Sequence, residues 1–272
     1  MRHLELFAGI GGFRRAMDLL TQDHIMDFHC IGYSEIDAKA VKTYCANYHP
    51  EVDGELAMGD IVEFTSNKNN IDNLPQFDLV TGGFPCQTFS MMGKQAGFNE
   101  DRGQMFFHII DILAAKMPRY VLLENVKNLK SHDKGRTFAR IKQELEALGY
   151  QVFTDIFNTA QFHLPQTRNR LLIFATTEPV PADFEVQFTC DNIAVLFDQV
   201  YQDLGTYHYQ SVNDILSLDV DQKYFLSERI KPTLLADGSA NFKSKSDINM
   251  SIARPLTATM HKMHRACQDN YY

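Results

Sequence analysis

No apolar stretch in the sequence approaches the roughly 20 residues of a membrane span. The Met-Arg-His start runs at once into a strand pattern, which leaves no room for a signal peptide, so the expected location is the cytoplasm. Cysteine is scarce and badly placed for cross-links: five residues (Cys30, Cys45, Cys86, Cys190 and Cys267), an odd number, widely spaced and without a C-x-x-C. That excludes a disulfide framework and a zinc site of the usual spacing, and leaves reduced thiols, one of which can be a nucleophile. Internal repeats and low-complexity segments are missing too. With 44% hydrophobic and 22% charged residues over 272 positions, the chain can bury a large core as one α/β domain with a smaller lobe.

Net positive charge is also lacking, since the total is −8. Its location matters more than its size. Residues 183 to 228 hold nine acids (Asp183, Glu185, Asp191, Asp198, Asp203, Asp214, Asp219, Asp221 and Glu228) against the single base Lys223, so the rest of the chain is neutral overall. From 241 to 272, five bases (Lys243, Lys245, Arg254, Lys262 and Arg265) face only Asp247 and Asp269. A local basic surface for a nucleic acid therefore remains compatible with the total.

What is present is an alternation of strand and helix patterns. HLELFAG (3 to 9) reads as a buried strand running into glycines, and FRRAMDLL (13 to 20) continues at helical spacing. FHCIGYSE (28 to 35) is a second strand, followed by a helical AKAVKTYCANY, and LVTGG ends another strand. QMFFHIIDILAAKM (104 to 117) is an amphipathic helix that stops before Pro118, and RYVLLENV (119 to 126) is the next buried strand. RTFARIKQELEALGY (136 to 150) sets Phe138, Ile141, Leu145 and Leu148 on one helical face, with Gly149 just past the end. YQVFTDIFN and RLLIFAT follow as strands. The pattern predicts an α/β fold with a mainly parallel sheet and helices on both faces. The expected segments are a domain over 1–180, an acidic connecting region over 181–228 with a hinge near 180 to 190, and a polar lobe over 229–272.

Glycines in FAGIGG (7 to 12), between a first strand and its helix, let a ligand approach the backbone. The dinucleotide fingerprint would need glycine at position 14, which is Arg14, so a pyrophosphate cofactor and a nicotinamide or flavin oxidoreductase are disfavoured. Glu35 follows the second strand, where an acid can accept both hydroxyls of a ribose, and Asp60 in AMGDI is placed to accept from an adenine amino group. Each alone reads more readily as a solvated loop acid. Together, in this order, they favour an adenosine ligand.

Within GGFPCQTFS (82 to 90), Cys86 falls just past the apolar run FDLV, where a strand has ended and α/β proteins carry their chemistry. Only a thiolate attacks, and a free thiol with pKa about 8.5 needs a helix N-terminus or an arginine nearby. Glu124 and Asn125 end the strand RYVLLEN, and strand ends gather on one edge of a parallel sheet. A glutamate in a partly desolvated cleft can hold a proton near neutral pH and donate it. Gln166, Arg168 and Arg170 lie in QTRNRLLIF, where the two arginines share one face of an extended chain and suit phosphate or carboxylate contact. The bland alternatives are a buried thiol and strand-edge salt bridges.

With LFAGIGGFR, GGFPCQTFS, DRGQMFF (101 to 107), LLENVKNL (122 to 129) and PQTRNRLLIF (165 to 174) in this order, the sequence resembles the DNA cytosine-5 methyltransferases that use S-adenosylmethionine, best known from bacterial restriction-modification systems. The resemblance implies a Rossmann-like methyltransferase sheet with an incomplete target-recognition lobe, and a bacterial, cytoplasmic enzyme acting on double-stranded DNA. Cys86 would add to C6 of a flipped-out cytosine while Glu124 donates to N3, and C5 would then take the methyl group. By the same resemblance Arg168 and Arg170 would hold the nucleotide, Asn125 would position the nucleophile loop, and Gln166 would belong to the catalytic strand. Phe7 would pack on the adenine, Glu35 bind the ribose, and Asp60 with Ile61 contact the adenine. Ala8, Gly9, Gly11, Gly12, Ile36, Pro85 and Met105 complete the implied cofactor site.

The segment ARPLTATMHKMHRACQDNYY resembles part of a recognition lobe, and the family's last motifs are not reached. The reading this suggests is a split-enzyme subunit completed by a second polypeptide, or a truncated chain, inactive or weak by itself. An RNA substrate is the lesser alternative, because the tripeptide of the RNA-modifying subgroup is missing. His261, His264 and Cys267 stand at three-residue steps but lack a fourth ligand, so a basic helix or loop touching phosphate is preferred to a metal site.

Overall fold

The computed structural model describes residues 1–85, 105–204, 209, 211–235, 247–256 and 269–272. Among them the strands are β1 (Arg2–Leu6), β2 (His29–Ser34), β3 (Leu56–Ala57), β4 (Leu79–Gly83), β5 (Tyr120–Val126), β6 (Gln151–Asn158) and β7 (Asn169–Thr176). The helices are α1 (Gly12–Gln22), α2 (Ala38–Tyr48), α3 (Pro50–Asp53), α4 (Ile61–Ser66), α5 (Lys68–Asn73), α6 (Met105–Lys116), α7 (Arg136–Ala147), α8 (Phe184–Gln187), α9 (Cys190–Leu204) and α10 (Lys231–Leu235). One seven-stranded sheet has the order β3-β2-β1-β4-β5-β7-β6. The pairs β1–β2, β1–β4, β2–β3 and β4–β5 are parallel, and β5–β7 is antiparallel.

The order reverses direction at β1, between β2 and β4, which opens a crevice at the carboxyl ends of those strands. Both faces of the sheet are covered, as alternation along the strands requires. Leu4, Leu6, Val80, Val121, Leu123, Leu171 and Ile173 point into one cluster with Ile61 of α4, Ile109 and Ile112 of α6, and Ile141 and Leu145 of α7. On the opposite face of β1, Glu5 meets the start of α1, and Ala8, Tyr33 and Tyr44 form a second cluster with Tyr48 of α2. Further along that sheet, rings of Phe153, Phe174, Phe184 and Phe188 pack at centroid distances of 4.7 to 6.4 Å. Gly149, with φ 89°, follows α7 as its spacing predicts.

The chain divides into two compact units, residues 1–156 with 170–189, and residues 157–169 with 190–272. The segments expected from sequence divide it elsewhere. Residues 157–169 belong to the second unit because their backbone pairs far downstream: Ala253 N–H donates to the Pro165 carbonyl and Thr167 N–H to the Ala253 carbonyl, each at 2.8 Å. Nothing in local sequence signals such a pairing. Within the acidic region the structure has the 15-residue α9 rather than a mere connection. Its Phe197 ring meets Phe162 edge-on at 5.4 Å, and Cys190 Sγ lies 2.7 Å from Gln161 Oε1.

Candidate active site

The chain leaves β1 with Phe7 at φ 53°, then Gly9 at φ 59° and Gly11 at φ 88°, and enters α1 at Gly12. A side chain at Gly9 or Gly12 would meet no heavy atom within 4 Å, so both positions lie open. Gly11 is different: a Cβ there would sit 2.2 Å from the Tyr48 ring. Glu35, at the end of β2, ties the turn down. Its Oε2 accepts from Gly9 N–H at 2.7 Å, and its Oε1 accepts from Ile36 and Asp37 N–H at 2.8 Å each. A carboxylate offers about four acceptor positions, and three are used here, so engaging both hydroxyls of a ribose requires its oxygens to exchange partners.

Ile36 is 74% exposed beside Glu35, an uncommon setting for so large an apolar side chain. Asp37 caps α2 through Lys39 and Ala40 N–H, and those backbone donors, Ala40 first, hold its carboxyl below the usual range. After β3, Gly59 in a left-handed conformation leads to Asp60, which caps α4 by accepting from Val62 N–H at 2.8 Å. Ile61, the first residue of α4, is 2% exposed and packs in the core cluster. Ala8 is buried against Tyr33 and Tyr44, and Met105, the first residue of α6, packs against the main cluster. Phe7, Glu35 and Asp60 thus stand at the carboxyl ends of three adjacent strands.

A second group sits two strands further along the same edge. Gly83 of β4 lies opposite Glu124 of β5, and a Cβ at Gly83 would come within 3.2 Å of Glu124 Oε2, so glycine makes room for the carboxylate. Arg170 Nε pairs with Glu124 Oε1. Because β7 runs antiparallel to β5, its beginning rather than its end reaches this edge, with Arg170 opposite Val126. Asn125, almost fully buried, donates from Nδ2 to the Phe84 carbonyl at 2.8 Å and so fixes the exit of the chain toward Pro85. Cys86 lies outside the described residues, as do His261, His264 and Cys267.

The spacing predicts that Arg168 and Arg170 share one face of an extended chain; Arg170 lies in β7 and Arg168 just before the strand begins. Arg168 N–H bonds Thr159 Oγ1 at 3.0 Å, its carbonyl accepts from Thr159 N–H at 3.2 Å, and it belongs with Gln166 to the second unit. Gln166 forms a parallel bridge to Ala253. Among the described residues no group of three or more His, Cys, Asp and Glu is arranged to hold a metal ion.

Beneath the glycine turn lies a polar network that sequence reasoning missed. Arg14 pairs with buried Glu55 and with Asp18, and its guanidinium lies 5.3 Å from the Tyr48 ring centre. Burial works against that charge, but Glu55 and Asp18 outweigh it and raise the arginine pKa. Glu5 is fully buried and accepts from Arg14 N–H at 3.3 Å, and burial pushes its carboxyl up to about 7. His3, fully buried with Nε2 2.7 Å from Thr81 Oγ1, is pushed down to about 3 by burial and by Arg14. The one readable signal was an arginine and a glutamate at positions where an amphipathic helix and a buried strand face the sheet.

The sheet order, the glycine turn and the acids at successive strand ends define a Rossmann-like scaffold. The chain superposes on the Entamoeba histolytica methyltransferase EhMeth with a TM-score of 0.67 over 97% of this chain and 72% of that one, at 19% identity. The S. pombe Dnmt2 methyltransferase gives 0.66 over the same shares, also at 19% identity. Residues 1–272 match the C-5 cytosine-specific DNA methylase family, and the chain belongs to it. It is 37% identical over 227 residues to the type II methyltransferase M.NlaX of Neisseria lactamica, covering 84% of this chain and 63% of that protein. To the orphan methyltransferase M.Rho11sI of Bacillus phage rho11s it is 34% identical over 241 residues, covering 84% and 46%. The chain thus spans about half to two thirds of the length of these relatives.

Proposed function

We propose that the chain transfers a methyl group from S-adenosylmethionine to C5 of cytosine in double-stranded DNA, as the modification component of a restriction-modification system. The observation that carries the chemistry is the Glu124–Arg170 pair facing Gly83, three residues before Cys86. The cofactor reading is supported by the open sides of Gly9 and Gly12, by the exposed apolar Ile36, and by the acids Glu35 and Asp60 at neighbouring strand ends. Phe7, Ala8, Gly11, Ile61, Pro85 and Met105 would complete that pocket. When bound, S-adenosylmethionine supplies an electrophilic methyl group.

The chain's own residues do the rest. The target cytosine must leave the stack, since neither ring face is open to attack within the duplex. The Cys86 thiolate forms a bond to C6 while Glu124 acts as the general acid that delivers a proton to N3, and C5 becomes nucleophilic. Once C5 has taken the methyl group N3 returns its proton to Glu124, water accepts the proton from C5, and the C6–S bond breaks to give back the Cys86 thiolate and restore the C5–C6 double bond. Arg170 orients Glu124 and, with Arg168, holds the nucleotide. Asn125 fixes the loop carrying Cys86, and Gln166 positions the segment before Arg168.

The test is transfer of labelled methyl to mixed-sequence duplex DNA by the chain and by Cys86→Ala, with cofactor binding measured in parallel. Label on cytosine C5 that vanishes in the variant supports the proposal. A folded chain that binds cofactor and leaves DNA unlabelled, alone and with a second polypeptide encoded beside it, contradicts it.

A further inference from the structure

The two open glycines and the one blocked glycine of the turn divide its work. Gly9 and Gly12 leave space on the side a ligand would approach, whereas Gly11 leaves space for Tyr48. From the last turn-position of α2, the Tyr48 hydroxyl donates to the Gly11 carbonyl at 2.8 Å, and that carbonyl also accepts from Arg15 N–H inside α1. The Gly11–Gly12 peptide is planar and trans, so holding the Gly11 carbonyl on one side aims the Gly12 N–H to the other. That N–H is one of the first four of α1, which have no partner within their own helix.

Tyr48 is itself held on both sides. Its ring packs at 4.9 Å on Tyr44, which stacks on Tyr33 at 4.3 Å, and the Arg14 guanidinium covers it from α1. Arg14 in turn is anchored on Glu55. We infer that Tyr48 is a positioning residue for cofactor binding: it locks the Gly11–Gly12 peptide so that the open side of the glycine turn presents its N–H groups in a fixed direction. The inference rests on the cofactor reading above and deepens it. Burial and the nearby carboxylates Glu5 and Asp18 keep the phenol protonated, and hence a donor, well above neutral pH.

The experiment is titration calorimetry of the full chain with S-adenosylmethionine, comparing wild type, Tyr48→Phe and Tyr48→Leu, with melting temperatures of the cofactor-free proteins. Tyr48→Phe keeps the ring and loses only the bond to Gly11. The expected result is a Kd raised about fivefold, the worth of one ordinary hydrogen bond, with a melting temperature within a few degrees of wild type. Tyr48→Leu should weaken binding further, whereas the core variant Leu145→Ala should lower the melting temperature and leave Kd unchanged. Wild type and Tyr48→Phe binding with the same Kd would overturn the inference while leaving the cofactor reading intact. No binding by wild type would remove the cofactor reading, and this inference with it.

Discussion

Glu124 is the residue on which the proposed acid-base chemistry turns, and its surroundings fit its carboxylate: glycine at 83 admits it and Arg170 orients it. Replacing Glu124 by Gln keeps the shape and removes the transferable proton. The expected result is a kcat lower by about 10²- to 10⁴-fold with cofactor Kd unchanged, read by single-turnover methyl transfer and calorimetry. Glu5 makes a prediction about pH. Its folded pKa of about 7 lies above the ordinary glutamate value, so the folded state binds the extra proton between about pH 4.5 and 7, and stability drains away as pH rises through that window. His3 works in the opposite sense, adding stability as pH rises from about 3 to 6.5, and masks part of the loss. Glu5→Gln removes the first effect alone. Its stability relative to wild type should therefore grow by roughly 3 kcal/mol from pH 4.5 to 7 in urea titrations, and a flat difference would contradict the burial argument.

At the scale of elements, α1 is joined through charge to the segment that leads into β3. Arg14 of α1 and Glu55, before β3, form a pair in which Glu55's side chain is wholly buried. Breaking such a pair strands the remaining charge. Arg14→Met should cost about 3 kcal/mol or more, and adding Glu55→Gln should restore part of it, since the glutamine no longer carries an unpaired charge. Equal destabilisation by the single and double variants, measured from urea midpoints, would refute the pairing. Much of this architecture was legible in the sequence because burial on both faces makes strands such as RYVLLEN read as continuous apolar runs, and because Gly149 marks the end of α7. The antiparallel sense of β7 was not legible, since strand direction leaves no trace in apolar pattern, and it is what brings Arg170 rather than Thr176 to the active edge. Nor was α9 legible, because its acids hid an apolar face that meets Phe162 within its own unit. The roles of Tyr48 and Glu55 depend on contacts 37 and 41 residues distant, which no local spacing carries.

For the whole molecule, the charge distribution separates the parts. Residues 183–228 carry a net charge of −8, residues 1–182 carry −4 and residues 229–272 carry +4, so the sheet-forming part is only mildly acidic for its length and the total does not by itself oppose a polyanionic partner. Among the described residues no helix is long and apolar enough to cross a membrane. By the proposal, this edge of the sheet performs cytosine-5 methylation through a bond from Cys86 to the base. The most direct measurement is mass spectrometry of the chain after incubation with S-adenosylmethionine and duplex DNA carrying 5-fluorocytosine. Fluorine at C5 cannot leave as a cation, so once the methyl group is in place the thiol cannot be released. The expected product is a covalent protein–DNA adduct mapped to Cys86 and carrying the added methyl group, lost in Cys86→Ser. An adduct at another residue, or one that persists in Cys86→Ser, would contradict it.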